Sequence, residues 1–474
     1  MLRKFRIVLA AVFFIAITVL FLDPGGVVYN WLGWTAKAQF LPAILSLNLL
    51  VIILTVIVTL ILGRVYCSVI CPLGVFQDIV SNISGRRKGK KNRFTSSKEV
   101  AWLRYTVWVL FFAAVIFGVQ AFVALIEPYS AFGRIVTSIK HPMIPTVIIA
   151  ALTLIVIAFL AWKNGRTWCN TICPVGTLLS FFSRCAMFRP VIDTEKCKDC
   201  KTCEKRCKAS CIDIASHKVD YNRCVACFDC IDNCKFDALH YKFAWGKGKK
   251  AETPAPAGDE KSNAGRRAFL TSSAIAIGTA ALKAQDLDAG KNDGGFAEIL
   301  PKVSPERTEV LTPFGSKSVK DFYSRCTACQ LCVSQCPNNV LKPSTDLMHF
   351  MQPFMTYEDG YCRPECTICS QVCPAGAIEP LSKEEKISFH IGVATVERSL
   401  CIVERDGVNC GNCSRHCPAE AITMVAKDPG NPASLLIPAV NEAKCIGCGA
   451  CENLCPSRPF SAIHVNGLAV HKQD

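Results

Sequence analysis

The chain has 474 residues, 51% of them hydrophobic, with thirty cysteines and a formal charge of +15. That length, with several long hydrophobic segments, excludes a small disulfide-stapled secreted scaffold. The positive charge does not point to nucleic acid, because the basic residues cluster where membrane topology would place them.

Four hydrophobic spans come first, at Phe5–Leu22, Leu41–Gly63, Thr106–Ile126 and Ile144–Trp162. Each is about long enough to cross a bilayer core as a helix. The loop after the second span carries Arg64, Arg86, Arg87, Lys88, Lys90, Lys91 and Arg93, whereas the loop after the first carries only Lys37. The positive-inside rule therefore predicts that the N-terminus, the second-to-third loop and the segment after the fourth span face the cytoplasm.

The helical part contains a repeat. Residues 63–74 read GRVYCSVICPLG and residues 165–176 read GRTWCNTICPVG. Each copy follows a pair of spans, so two similar hairpins are predicted. Cys67, Cys71, Cys169 and Cys173 are candidates for metal ligation, a further iron–sulfur centre or thiol redox chemistry. Buried packing is the plainer alternative. On one helix, the i,i+4 spacing would put each pair on one face, and the following proline would open a new helix.

Next come two cysteine quartets spaced C-x2-C-x2-C-x3-C, within 191–243. Cys197, Cys200, Cys203 and Cys207 form the first, and Cys224, Cys227, Cys230 and Cys234 the second. In two-cluster ferredoxins three cysteines hold one [4Fe–4S] cluster and the fourth crosses to its neighbour. This pairs Cys197, Cys200 and Cys203 with Cys234, and Cys224, Cys227 and Cys230 with Cys207. Cys211 is an alternative to Cys207, and Cys185 is spare. Neither Cys207 nor Cys234 precedes proline. Structural zinc is the competing reading, but the triplets recur at x2 spacing and the eight histidines avoid them.

Gly246–Gly265 reads as a flexible linker. It runs into Gly265-Arg266-Arg267-Ala268-Phe269-Leu270 and an alanine-rich apolar run to about Leu282. This resembles a twin-arginine export signal, unusual in being internal. The C-terminal part carries four more quartets. Cys326, Cys329, Cys332 and Cys336, and Cys445, Cys448, Cys451 and Cys455, keep the regular spacing. Cys362, Cys366, Cys369 and Cys373, and Cys401, Cys410, Cys413 and Cys417, have longer first gaps. Sequential pairing completes Cys326, Cys329 and Cys332 with Cys373, and Cys362, Cys366 and Cys369 with Cys336. It likewise completes Cys401, Cys410 and Cys413 with Cys455, and Cys445, Cys448 and Cys451 with Cys417. A nested pairing of the first with the fourth quartet remains open. Six such clusters would add about −12 of charge and bring the loaded protein near neutrality.

The duplicated C-x3-C-P motif, with spans and a two-cluster module, resembles the membrane quinol-dehydrogenase ferredoxin of periplasmic nitrate reductase systems. It is also similar to the membrane part of the nitrous-oxide-reductase regulator and to oxidase-assembly polyferredoxins. The part from Arg266 onward resembles the four-cluster, twin-arginine-exported ferredoxin that partners that subunit. The implied fold is a four-helix membrane domain of two repeated hairpins (1–190) with α+β ferredoxin-like bis-[4Fe–4S] modules. These are a cytoplasmic module (191–243), a linker with signal or anchor helix (244–285) and a four-cluster domain (286–474). The implied protein is a multi-pass inner-membrane electron carrier with about six [4Fe–4S] clusters and a link to quinone. Its expected partners are the membrane, the quinone pool and a redox protein such as a reductase or cytochrome, with no nucleic acid. A role in supplying electrons for metal-centre maturation of a respiratory enzyme is the alternative. No haem C-x-x-C-H or nucleotide fingerprint is present, so the expected role is electron transfer or a quinol dehydrogenase component, with no catalytic residue of its own.

Overall fold

The computed structural model describes residues 2–23, 28–87, 94, 100–117, 119–244, 300–346, 348–431 and 434–474. The described residues of Met1–Trp245 and Val303–Asp474 form one compact unit. The linker and the Arg266-Arg267 motif lie outside the described residues, as does most of the Arg86–Arg93 run.

The N-terminal half is helical. α1 spans Leu2–Leu22, α2 Tyr29–Lys37, α3 Phe40–Leu45 and α4 Leu49–Leu62. The first C-x3-C-P motif runs from α5 (Val65–Val69) into the start of α6 (Pro72–Arg87). Then follow α7 (Ala101–Phe117), α8 (Gln120–Ile126), α9 (Pro128–Lys140) and α10 (Ile144–Asn164), and after the second motif begins, α11 (Thr167–Thr171) and α12 (Pro174–Ser183). Among the described residues, α1 and α10 are the helices long and apolar enough to cross a membrane unbroken. The second predicted span breaks at Leu47, whose φ is +54°. There Asn48 accepts from the Val51 amide and starts a new helix. The third breaks between α7 and α8. Continuous hydropathy thus hides two interruptions.

The helices are apolar outside and partly polar inside, the reverse of a soluble bundle. On α1, Phe5, Val8, Val12, Ile15, Val19 and Leu22 are exposed, while Arg6 is buried. On α4, Leu50, Ile53, Leu54 and Ile57 are exposed and Thr55 and Thr59 are buried. Trp31 and Trp34 stand exposed on α2, and Trp102 at the start of α7.

A small module follows. β1 (Phe188–Ile192) pairs antiparallel with β4 (Leu239–Phe243), from Phe188↔Phe243 to Ile192↔Leu239. Between them lie α13 (Thr202–Arg206), the β2–β3 hairpin (Ile212–Asp213 with Lys218–Val219) and α14 (Asp229–Asp232). The C-terminal part is built on β7 (Phe389–Val396) paired with β10 (Ile463–Gln473), flanked by two smaller hairpins.

These two cysteine-rich parts meet opposite ends of α1. At its first turn Arg3 bonds Asp229 at 2.8 Å and Asp232 at 2.7 Å. At its last turn the Leu20 and Asp23 carbonyls accept from Gln335 Nε2 at 2.7 and 3.1 Å. At about 1.5 Å of rise per residue, Arg3 and the Leu20 and Asp23 carbonyls lie about 26–30 Å apart along the helix. The same far end is fastened by Ser130 of α9 to the Thr327 carbonyl, 2.6 Å, and by Tyr29 of α2 to the Gln371 carbonyl, 2.7 Å.

Candidate iron–sulfur sites

Four cavities gather the cysteines. Cys197, Cys200, Cys203 and Cys234 line one. Cys224, Cys227 and Cys230 share the next with Cys207 and Cys211. Cys401, Cys410 and Cys413 line a third with Cys455, and Cys445, Cys448 and Cys451 a fourth with Cys417. The remaining sets are seen in the fields the thiols exert on one another. Cys332 feels Cys326, Cys329 and Cys373 most, and then Cys369, and Cys369 feels Cys362, Cys336 and Cys366. Each set draws three cysteines from one quartet and a fourth from its sequence neighbour. The arrangement is crossed and sequential, not nested.

The spacing speaks to nuclearity. Four sulfurs about 2.3 Å from one zinc ion would stand about 3.8 Å apart. Among the described residues, the group of three potential ligands drawn within 4.8 Å is Cys197, Asp199 and His217. No cysteine quartet is that tight, and the wider sets fit a polynuclear core.

A local backbone device makes the wider sets. In C-x2-C-x2-C, the residues flanking the second cysteine are both left-handed. They are Asp199 and Lys201, Ala226 and Phe228, Ala328 and Gln330, and Gly447 and Gly449. Alternating handedness turns successive amides inward, forming an anion-binding nest. Amides two positions on donate to sulfur, from Asp199 to Cys197, Ala226 to Cys224, Ala328 to Cys326 and Gly447 to Cys445. The fourth cysteines are served from beyond: Ala238 donates to Cys234 and Ala421 to Cys417, each at 3.3 Å. The two long-gap quartets lack the paired left-handed residues, keeping only Gly411 (φ +140°) in the second.

Cys211 has a distinct place. Its sulfur is 3.4 Å from that of Cys207. That contact, in which either thiol can donate, holds Cys207 down to about 7 and pushes Cys211 well up. Cys224 is also lowered by a bond from Cys211. Cys211 is thus hydrogen-bonded to both Cys207 and Cys224.

Sequence reasoning missed Lys386. It is buried, with Nζ 3.2 Å from Cys362 Sγ and 2.6 Å from the Arg363 carbonyl, and it lies over the Phe314 ring. It comes from α18 (Lys383–Ile387), outside any cysteine motif, so spacing gave no signal.

The C-x3-C-P cysteines also converge. All four are buried, and Cys173 lies in the field of Cys169, Cys71 and Cys67. The pairs do not share a helix. Cys67 sits in α5 and Cys169 in α11, whereas Cys71 and Cys173 follow those helices and precede the prolines that open α6 and α12. In both copies the later cysteine amide reaches back five residues, Cys71 to Tyr66 O (3.0 Å) and Cys173 to Trp168 O (2.9 Å). A Cβ on Gly74 would fall 2.3 Å from Cys67 O, and one on Gly176 2.4 Å from Cys169 O. Only glycine lets each motif fold back on itself this closely.

Arginines tie the copies together. Arg64 of the first donates to Gly176 O of the second at 2.9 Å, and Arg166 of the second donates to Cys67 O at 2.6 Å. Asp78 on α6 accepts from Arg166 at 2.9 Å and Arg6 at 2.8 Å. The small module abuts this site, since Arg64 Nε reaches Cys224 O at 3.2 Å and the Arg166 amide reaches Lys208 O at 2.9 Å.

Family comparisons agree with this chemistry. A family model described as "4Fe-4S binding domain" matches residues 46–91 and 143–192, which enclose both C-x3-C-P copies. A "4Fe-4S dicluster domain" matches 408–458, and another "4Fe-4S binding domain" matches 319–342. The chain is 38% identical to the methylamine utilization ferredoxin-type protein MauM of Methylobacillus flagellatus. That match covers 34% of this chain and 70% of the relative. The chain belongs to the ferredoxin-type 4Fe–4S electron-transfer family. MauM of Paracoccus denitrificans is 30% identical over 40% of this chain and 82% of its own length. The ferredoxin-type protein NapG of Haemophilus influenzae is 27% identical over 35% of this chain and 65% of its own. As a member of this family the chain carries 4Fe–4S clusters, and the convergent thiols and their amide donors fit that cofactor.

Proposed function

We propose that the protein is a membrane-embedded polyferredoxin whose six paired quartets hold six [4Fe–4S] clusters. It conducts electrons between a cytoplasmic donor or the (mena)quinol pool and an extracytoplasmic reductase. The observation that carries this reading is the placement of cysteine-rich parts at the two ends of α1, about 26–30 Å apart along the helix, close to the thickness of a bilayer core. The outward apolar faces of α1, α4 and α10, the buried Arg6 and the exposed tryptophans near both ends support a lipid environment. The basic second-to-third loop favours a cytoplasmic Cys197–Cys234 module, and Arg266-Arg267 would send the C-terminal part out.

Bound clusters supply one-electron carriers. The residues of the chain supply anionic ligands, amide donors that favour the reduced state, and apolar walls that exclude water. A quinol oxidised at the membrane would release two electrons, taken up singly, and two protons. Topology reporters fused after Phe243 and after Asp474 test the reading. The first is expected inside and the second outside. Two cytoplasmic reports would end the trans-membrane interpretation.

A further inference from the structure

One cysteine set reaches the surface. Of the quartet cysteines Cys200 alone is exposed, and Cys197 beside it is partly so. The neighbouring set is turned toward the helices. Its Cys224 carbonyl accepts from Arg64 at 3.2 Å, and Lys208, next to Cys207, pairs with Asp78 at 3.5 Å and Asp229 at 2.8 Å. A carrier arriving from solution therefore meets the set of Cys197, Cys200, Cys203 and Cys234 first. We propose that the face around Cys200 docks a small acidic protein that carries one electron at a time. This rests on the reading of the chain as an iron–sulfur conduit and adds which surface exchanges the electron and what chemistry the partner presents.

Charge is the first argument. Lys198 and Lys201 line the cavity of this set together with Phe236. Lys235 lies in the field of Cys200, and Lys196 stands one position before Cys197. All four lysines are exposed, and among the described residues none of them is ion-paired. Lys208 of the same module is the contrast, largely buried with two carboxylate partners. Of the nearby acids, Asp199 faces His217 at 2.8 Å and Asp237 faces His240 at 3.8 Å. Glu195 is the other exposed acid in 194–201. Lysines that serve the fold are paired here, and those around Cys200 direct their field into solvent. A surface of one sign raises the on-rate of an oppositely charged partner by about 10–10³.

Shape is the second argument. Phe236 is exposed, and Lys198 Nζ lies 5.1 Å from its ring centroid. An apolar centre inside a charged rim is the anatomy of a protein interface, whereas a small ion gains nothing from the ring. The helices meet this module at Cys224, Lys208 and Asp229, none of which lines the Cys200 cavity. The transfer itself is simple. The reduced carrier gives up one electron and the cluster on this set takes it up. No bond forms or breaks, and no proton moves.

The test uses full-length protein purified anaerobically in detergent, with an acidic plant-type [2Fe–2S] ferredoxin as the probe. With oxidised ferredoxin, carbodiimide cross-linking and mass spectrometry should join its carboxylates to Lys198, Lys201 or Lys235. With reduced ferredoxin, the stopped-flow rate of cluster reduction should fall about tenfold between about 0.01 M and 0.15 M salt, as the screening length shrinks from about 30 to 8 Å. Changing Lys198, Lys201 and Lys235 together to glutamate should lower the low-salt rate by about tenfold or more. Lys198→Glu alone should lower it by less, and decides the matter if the triple variant does not accumulate. The methyl viologen radical, which needs no docking, should reduce every variant as far as wild type. Cross-links elsewhere, with a rate indifferent to salt and to the three lysines, would overturn the docking face and leave the conduit standing. An equal loss of rate with methyl viologen would assign the lysines to the cluster itself and also overturn it. So would a lysine effect seen only in vesicles containing phosphatidylglycerol, which would assign the patch to the membrane surface. Wild-type protein that methyl viologen cannot reduce would end the conduit reading instead.

Discussion

The regular ferredoxin quartets and the C-x3-C-P quartet bring four thiols together by opposite routes. In the quartets at Cys197, Cys224, Cys326 and Cys445, three sulfurs are set by seven residues of chain and two left-handed turns. In the C-x3-C-P site, sulfurs more than ninety positions apart meet because two halves of a repeat are clasped by arginines. The first route is local and tolerant of its surroundings. The second has no local geometry to fall back on, so its integrity is that of the helix packing itself.

That contrast is open to direct attack. The largest effect should come from Arg166→Met. It strips Asp78 of one cation and Cys67 O of a donor inside a buried network, at a cost of about 3 kcal/mol. The thermal midpoint in detergent should fall and the C-x3-C-P site should be lost, with ferredoxin signals retained. Next is Gly176→Ala, whose Cβ would meet Cys169 O. Displacement of the motif should cost roughly 1–3 kcal/mol, seen in the same measurement. The equivalent change at Val225, a residue with a side chain already, should leave the site intact.

Lys386→Met sharpens the comparison within the local class. Removing the charge beside Cys362 should lower the midpoint potential of one cluster only. The shift is about 60 mV for each 1.4 kcal/mol by which the ammonium favours the more negative reduced state. A redox titration followed by electron paramagnetic resonance checks it. The smallest effect belongs to Lys201→Gly. Its φ of +55° strains a side-chain-bearing residue, so glycine should raise stability by up to about 1 kcal/mol. An unchanged or lower thermal midpoint would show that the nest imposes no such strain.

The same division explains what the sequence disclosed. The crossed cysteine sets follow from short-range spacing, so three-plus-one grouping was readable before any coordinates. The left-handed pairs were not, because Asp199-Cys200-Lys201 and Ala328-Cys329-Gln330 share a shape without sharing side chains. The GRxxC-xxx-CP repeat was visible, yet the role of Arg64 and Arg166 depended on which copy each side chain would reach. Hydropathy found four spans but passed over Asn48, a cap in the middle of an apolar run. Lys386 was invisible because its partner, Cys362, is twenty-four positions away with a helix turn between.

The clamps on α1 also bear on how the chain is made. Arg3 waits for Asp229, which is 226 positions later, and the carbonyls at Leu20 wait for Gln335, which is 315 positions later. A helix made long before its partners is therefore among the last to be completed. Its inward Arg6 pairs earlier, with Asp78, which is 72 positions on. Contacts of such sequence separation carry a large loop-closure cost before they return any stability. Slow, ordered biogenesis is thus written into the chain, and an assembly factor that shelters α1 during synthesis would act at its rate-limiting point.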